Sequence, residues 1–399
     1  MRIVLISDQY PPMVGGAPVV THRLASDLAM RGHQVWVVAP SEGLHDACYR
    51  EGDVTIVRWA SLLWPPYKGL RLALAPALGL YRLFKQIKPS VIHIHSPIVL
   101  GVLASLVARA LHIPVVATNH YMPINLSHSF EDMGILDRGF SRLVYGYLRQ
   151  VYNACDYVTV PTATALDLLL KHGLRTPGEV VSNGVDLGRF HPGPRDERLR
   201  EALGLPSDRP VALTVSRLMR EKRVHVLLEA LARVRAPVHL AVAGSGPDAR
   251  ALQTLAHQLG VSQRVTFLGF VPDDQLALLY RLADMFVIAS VAELQSLATM
   301  EAMACGLPTI AADAGALPEL VADGENGYLF AADESDQLAL VMEALLRQPE
   351  RWQEMGHASV RMVARHDSRA VAERWETIYR RVGMSAVARR PAGALAPDE

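Results

Sequence analysis

Cysteine is scarce in this chain. Its 399 residues include three, Cys48, Cys155 and Cys305, each isolated and none in a C-x-x-C pair. Neither a disulfide framework nor a zinc site is read from them. An excess of either charge is also missing. The 40 Lys+Arg balance 40 Asp+Glu, so no bulk attraction to nucleic acid is implied and no nucleic-acid partner is expected. No apolar run is long enough to span a membrane. The opening Met1-Arg-Ile-Val-Leu-Ile-Ser7 is too short for a signal peptide and reads as a first strand. What remains, 50% hydrophobic and 20% charged residues over a length that suits two domains, describes a soluble globular protein with a large core. The charge is spread unevenly: residues 1–190 hold 17 Lys+Arg and 13 Asp+Glu, a net of +4, which leaves −4 for the rest.

Short apolar runs alternate with helical patterns. In the first half the predicted strands are Arg2–Ser7, Gln34–Pro40, Val54–Trp59, Ser90–His95, Val115–Asn119, Tyr157–Pro161 and Val180–Asn183. Around His191-Pro-Gly-Pro194 the composition turns to proline and glycine, which reads as a linker. Strands then resume at Val211–Ser216, Val238–Ala243, Val265–Leu268, Met285–Ala289 and Thr309–Ala312. The expectation is an α/β chain of two doubly wound, Rossmann-like domains facing a cleft, 1–188 and 189–366. Ligands in such sheets bind beyond the carboxyl ends of the strands. The tail Met384–Glu399 is expected to lack structure.

The most informative stretch is Ala292–Gly306, AELQSLATMEAMACG, which follows the apolar run Met285–Ser290. Its two carboxylates, Glu293 and Glu301, are eight positions apart, so one helix face need not carry both. Glu293 is read in the loop after the strand. Glu301 is read two turns into a helix that begins near Ser296 or Leu297, whose first amides, at about Leu297 and Ala298, suit a phosphate. This E-x7-E pattern, with Met303-Ala-Cys-Gly306, Pro308, Ala314–Val321 and Asp323–Phe330, resembles the retaining GT-B glycosyltransferases of family 4. The likeness runs from Arg2 to about Val382. It implies that Glu293 contacts the donor sugar and Glu301 the nucleotide ribose, with Leu294, Gln295, Ser296 and Leu297 lining the donor site. It also implies a final helix, about 367–383, that packs back on the first domain.

Other strand ends carry matching residues. Gly15 and Gly16 follow the first strand and allow a close backbone approach or a positive φ; the resemblance places that loop by the diphosphate and the reacting sugar carbon. Arg217 and Lys222 match an R-x4-K pair. Arginine can fork two phosphate oxygens and lysine supplies a compact charge where a diphosphate leaves. Gly244 and Gly246, in Gly244-Ser-Gly-Pro-Asp248, also satisfy G-x-G-x-x-[GA], but the next strand ends without the acidic residue a dinucleotide site needs. They are read as a diphosphate-side loop. The resemblance makes Val271 a contact for the base and His120 a contact for the donor sugar. His93 and His95 alternate on one strand as a potential metal pair, but no third ligand presents itself and no metal is expected. The lack of any D-x-D triplet points away from metal-dependent GT-A transferases. No cofactor is expected, the nucleotide sugar being a substrate.

Thr118–Leu126 and Glu293–Thr299 look most like bacterial diacylglycerol glucosyltransferases. Trp59–Lys88 adds five aromatics and five cations with no Asp or Glu, a composition that suits an anionic membrane surface. Pro76, Gly69 and Gly79 are expected to interrupt any helix there. The expectation is transfer of a hexose, glucose from UDP-glucose, to diacylglycerol or a related lipid by a protein lying on the cytoplasmic face of the membrane. A phosphatidylinositol-type or soluble acceptor, a nucleotide-sugar epimerase or hydrolase, and a non-catalytic binder stay open as rivals.

Overall fold

The apolar runs form two separate sheets. The computed structural model describes residues 1–13, 15–64, 70–74, 77–122 and 137–388. They divide into one unit of Met1–Ser182 with the chain from Arg369 onward, and a second of Asn183–Ser368.

The first unit contains β1 (Arg2–Ile6), β2 (Gln34–Pro40), β3 (Ala47–Glu51), β4 (Val54–Trp59), β5 (Ser61–Leu63), β6 (Arg71–Ala73), β7 (Val91–Ile94), β8 (Val115–Thr118), β9 (Tyr157–Val160) and β10 (Gly178–Val180). Eight strands pair in the order β10-β9-β8-β7-β1-β2-β4-β3, all parallel except the β3–β4 pair. Strands β7 and β8 are buried along their whole length, as parallel strands covered on both faces must be. Strand β1 lies between β2 and β7, where successive connections diverge, so the loops after β1, β7 and β8 share one edge.

The second unit contains β11 (Val211–Val215), β12 (His239–Ala243), β13 (Val265–Gly269), β14 (Met285–Ile288), β15 (Thr309–Asp313) and β16 (Gly327–Ala331). These form one parallel sheet, β13-β12-β11-β14-β15-β16. Here connections diverge between β11 and β14, and the loops after β11, β12, β13 and β14 meet at that edge.

Several elements differ from the sequence reading. β3 is an exposed, charged antiparallel edge without an apolar run. The β5–β6 hairpin pairs only three residues a side. β16 opens on Gly327, where a Cβ would lie 1.7 Å from the Thr309 carbonyl oxygen; only glycine lets the strands approach there. β10 sits two residues earlier than the expected Val180–Asn183. Gly79 does not interrupt a helix: it lies inside Ala77–Ile87, where burial of Leu80, Phe84 and Ile87 outweighs a glycine penalty of about 1 kcal/mol. Gly69 and Pro76 fall outside the described residues. The Pro-rich stretch read as a linker is fastened within the second unit, with Arg281 Nε donating to the His191 carbonyl at 3.0 Å.

The last helix, Ser368–Ala388, runs five residues into the segment expected to lack structure; residues 389–399 are outside the described set. Trp375, Ile378, Tyr379 and Val382 repeat at i, i+3, i+4, i+7 and enter the core around Ile3, Leu5 and Leu28. Glu376 accepts from Arg31 Nε at 2.6 Å and pairs with His33 Nε2 at 3.0 Å. The hydrogen bond from Arg31 is the main reason its carboxyl is pulled down to about 2.

Candidate functional site

In the second unit the candidate residues gather at the edge where β11 and β14 end. Beyond β11 the chain makes a short 3-10 turn, Arg220–Lys222, and Arg223 takes a left-handed conformation, φ 51°, before the helix Val224–Arg233. The loop is held from two sides. Val291 N–H donates to the Glu221 carbonyl at 3.1 Å, and Leu218 N–H to the Ser245 carbonyl at 2.9 Å. Gly244 and Gly246 are needed for the second contact: a Cβ would lie 1.8 Å from Ser216 O at Gly244, where φ is 140°, and 2.2 Å from Leu218 O at Gly246. These glycines therefore bring two backbone loops together, whatever else they meet. Val271 follows β13, half-buried against the core.

Lys222 and Glu293, assigned to different parts of the donor, touch each other. Lys222 Nζ donates to Glu293 Oε1 at 2.6 Å, and the side chains are only 14% and 13% exposed. Arg223 turns away to Asp333 at 3.1 Å, Arg220 is exposed and Arg217 is half-buried. The Glu293 backbone is fixed as well. Ala316 N–H donates to its carbonyl at 3.0 Å, and a Cβ on Gly315 would come within 2.8 Å of that oxygen.

After Glu293 the loop is buried at Leu294, Gln295 and Ser296. Gln295 Oε1 accepts from the Asn183 backbone N–H at 2.7 Å. Ser296 caps the helix Leu297–Ala304, accepting from Thr299 N–H at 3.2 Å. The Leu297 and Ala298 amides carry no partner among the described residues. Glu301 is little more than one turn into this helix, not two. It is 7% exposed, and the Tyr280 hydroxyl donates to its Oε2 at 2.9 Å. Nothing in the sequence singles out Tyr280, whose place in an ordinary helical repeat carries no signal.

In the first unit, Gly15 precedes the helix Gly16–Met30. Its φ of 162° is extended backbone and a Cβ there would meet nothing nearer than 3.6 Å, so of the two uses a glycine could have here the left-handed conformation is not the one Gly15 shows. The same loop contributes a buried carboxylate that sequence reasoning passed over. Asp8 accepts from the amides of Leu100 at 3.0 Å and Gly101 at 3.5 Å, the start of the helix Val99–Ala110. Burial outweighs those amides and pushes its carboxyl up to about 7. His120, just past β8, is half-buried, and its Nε2 is 3.1 Å from His95 Nδ1. Burial brings His120 down to about 4. His120 thus joins His93 and His95 as a third imidazole, yet no group of three His, Cys, Asp or Glu arranged to hold a metal occurs among the described residues.

The segment after β4 leaves apolar surface exposed. Leu62, Leu63, Trp64, Leu74, Leu78 and Tyr81 are each at least 40% exposed. On the helix Ala77–Ile87, residues 78, 81, 82 and 85 share the outward face, so Arg82 and Lys85 flank the Leu78–Tyr81 pair. Lys85 Nζ sits 5.8 Å from the Tyr81 ring centre. Among the described residues no helix is long and apolar enough to cross a membrane.

Residues 14–189 match the family described as Glycosyltransferase Family 4, and residues 195–362 that described as Glycosyl transferases group 1. The chain is 31% identical over 358 residues to alpha-monoglucosyldiacylglycerol synthase of Streptococcus pneumoniae, spanning 88% of this chain and 79% of that protein. A protein of the same name from Acholeplasma laidlawii is 28% identical, over 84% and 86%. A GDP-mannose-dependent alpha-mannosyltransferase of Corynebacterium glutamicum is 29% identical, over 82% and 76%. Among solved structures, sucrose-phosphate synthase from Thermosynechococcus elongatus superposes with a TM-score of 0.78 at 21% identity, covering 96% of this chain and all of that one. That likeness shows the fold.

Proposed function

We propose, from the premise that this chain belongs to glycosyltransferase family 4 and has the GT-B fold, that it moves a hexose from a nucleotide sugar to a membrane lipid. The donor of this reading is UDP-glucose, the acceptor diacylglycerol or a glycosylated form of it, and the anomeric configuration is retained. The observation that carries the lipid acceptor is the exposed apolar, aromatic and basic surface formed by Leu62, Leu63, Trp64, Leu78, Tyr81, Arg82 and Lys85. Patches of this composition suit adsorption to an anionic bilayer, cations reaching headgroups while leucine and tyrosine enter the interface. The synthases named for glucosyldiacylglycerol support the same acceptor.

The second unit carries the groups this chemistry requires. A departing nucleoside diphosphate develops negative charge, which Arg217, Lys222 and the uncommitted amides of Leu297 and Ala298 are suited to stabilise. In the resting enzyme Glu293 occupies one Lys222 proton. On donor binding Glu293 turns to sugar hydroxyls and leaves all three ammonium N–H donors for phosphate oxygens. Glu301 serves the ribose. These groups perform the electrostatic work of a divalent metal, and the reaction proceeds without one.

The test is a transfer assay with UDP-glucose, in chelator, with and without anionic vesicles containing diacylglycerol. Glucosylated lipid is expected only with vesicles and at an undiminished rate in chelator. Transfer to soluble acceptors alone would end the lipid reading, and donor consumption without any acceptor would favour a hydrolase. The mannosyltransferase relative makes GDP-mannose the comparison donor.

A further inference from the structure

His93 and His95 have fully buried side chains with ring centres 4.0 Å apart, yet they are supplied very differently. His93 uses both nitrogens, Nδ1 with the Tyr379 hydroxyl at 2.8 Å and Nε2 with Thr118 Oγ1 at 2.6 Å. Among the described residues the His95 ring has one hydrogen-bond partner: its Nδ1 lies 3.1 Å from His120 Nε2, and the two rings stack with centres 5.4 Å apart. His95 Nε2 is buried without a hydrogen-bond partner among the described residues.

Burial holds both members of the pair below the ordinary histidine range, so both imidazoles are neutral at pH 7. The 3.1 Å contact then contains one proton, and the choice between its two positions fixes both tautomers. If His120 were the donor, His95 would carry its own proton on Nε2, as an orphan N–H in the core. If His95 is the donor, its Nε2 is a bare lone pair. Buried donors without partners are rarer in proteins than under-used acceptors.

We propose that His95 is a positioning residue, donating from Nδ1 to His120 Nε2 and so holding His120 as the tautomer with its proton on Nδ1. His120 then offers a ligand one N–H donor and no lone pair. Such a ring can grip an oxygen, whether a sugar hydroxyl or a phosphate, but cannot take a proton from the acceptor. The inference rests on the donor-side role proposed for His120, and it removes general-base chemistry from that role.

Nitrogen-15 NMR of histidine-labelled enzyme tests this without donor, so the tautomer is decided whether or not His120 meets a sugar. The His120 signals are assigned by their loss in His120→Gln. In the wild type, His120 is expected with a protonated Nδ1 and an unprotonated Nε2, the reverse of the tautomer a free histidine favours. His95→Asn, whose amide can replace the Nδ1 donor, should keep that state. His95→Leu should release it and raise the KM for UDP-glucose by about five- to tenfold, the scale of one hydrogen bond, with folding checked by thermal unfolding. A wild-type spectrum with the His120 proton on Nε2 overturns the proposal, as does a folded His95→Leu protein with an unchanged His120 tautomer.

Discussion

At the scale of single residues, the tightest coupling is Lys222 with Glu293. Both are largely buried, so deleting one leaves the other's charge uncompensated, at a cost of about 3–5 kcal/mol for a buried pair. Lys222→Met should therefore lower both stability and turnover, while Lys222→Met with Glu293→Gln should recover stability in urea unfolding without recovering turnover. A double variant as unstable as the single one would contradict this. Arg217→Ala should lower turnover by roughly 10²–10³-fold in a folded protein; near-normal rates would remove Arg217 from the mechanism. Asp8 gives a prediction with a sign. Its carboxyl titrates near 7 in the folded protein against an ordinary value of 3.8, so the folded state holds this proton more tightly. The contribution is complete below about pH 4 and is lost as pH rises towards 7, on the order of 4 kcal/mol in all. Asp8→Asn should thus gain stability relative to the wild type between pH 5 and 8, read by urea unfolding at each pH. Parallel curves would show that Asp8 does not titrate there. The types and spacing of Glu293, Glu301, Arg217 and Lys222 are legible in the sequence because each follows a strand end. Their partners are not: Lys222 and Glu293 are 71 positions apart and meet only through sheet order.

At the scale of elements, buried parallel strands announce themselves as apolar runs, which is why β1, β7, β8, β12 and β14 are readable from composition alone. The edge strands β3 and β16 are not, one being charged and exposed, the other opened by a glycine whose purpose is a close approach to β15. The helix Ala77–Ile87 shows local propensity overruled by packing, since Phe84 and its neighbours secure it despite Gly79. Its outward face is where lipid binding can be separated from chemistry. Leu78→Glu with Tyr81→Glu should weaken co-sedimentation with anionic vesicles while leaving UDP-glucose binding unchanged, because neither side chain is buried. Equal co-sedimentation of variant and wild type at low salt would place the membrane contact elsewhere.

At the scale of the whole molecule, the first unit is discontinuous, its core completed by the helix Ser368–Ala388. A chain ending at residue 367 should lose Trp375, Ile378 and Tyr379 from that core together with the Glu376 pair, so it should yield a first unit that is protease-sensitive while the second stays resistant. Equal resistance of both would show the helix to be dispensable. Glu376 also makes the intact unit acid-sensitive. Its pKa of about 2 lies below the ordinary 4.5, so its contribution is full above 4.5 and lost as pH falls towards 2. The chain leaves the first unit after Ser182 and returns at Arg369, and the two crossings are zipped together by Val185 N–H to His366 O at 2.8 Å and Ser368 N–H to Val185 O at 2.9 Å. On the ribosome this reverses the usual order in which N-terminal domains mature first. The second unit is one contiguous run and needs nothing made after it, whereas the unit that begins at Met1 must wait, open, until the helix Ser368–Ala388 has followed the whole second unit off the ribosome.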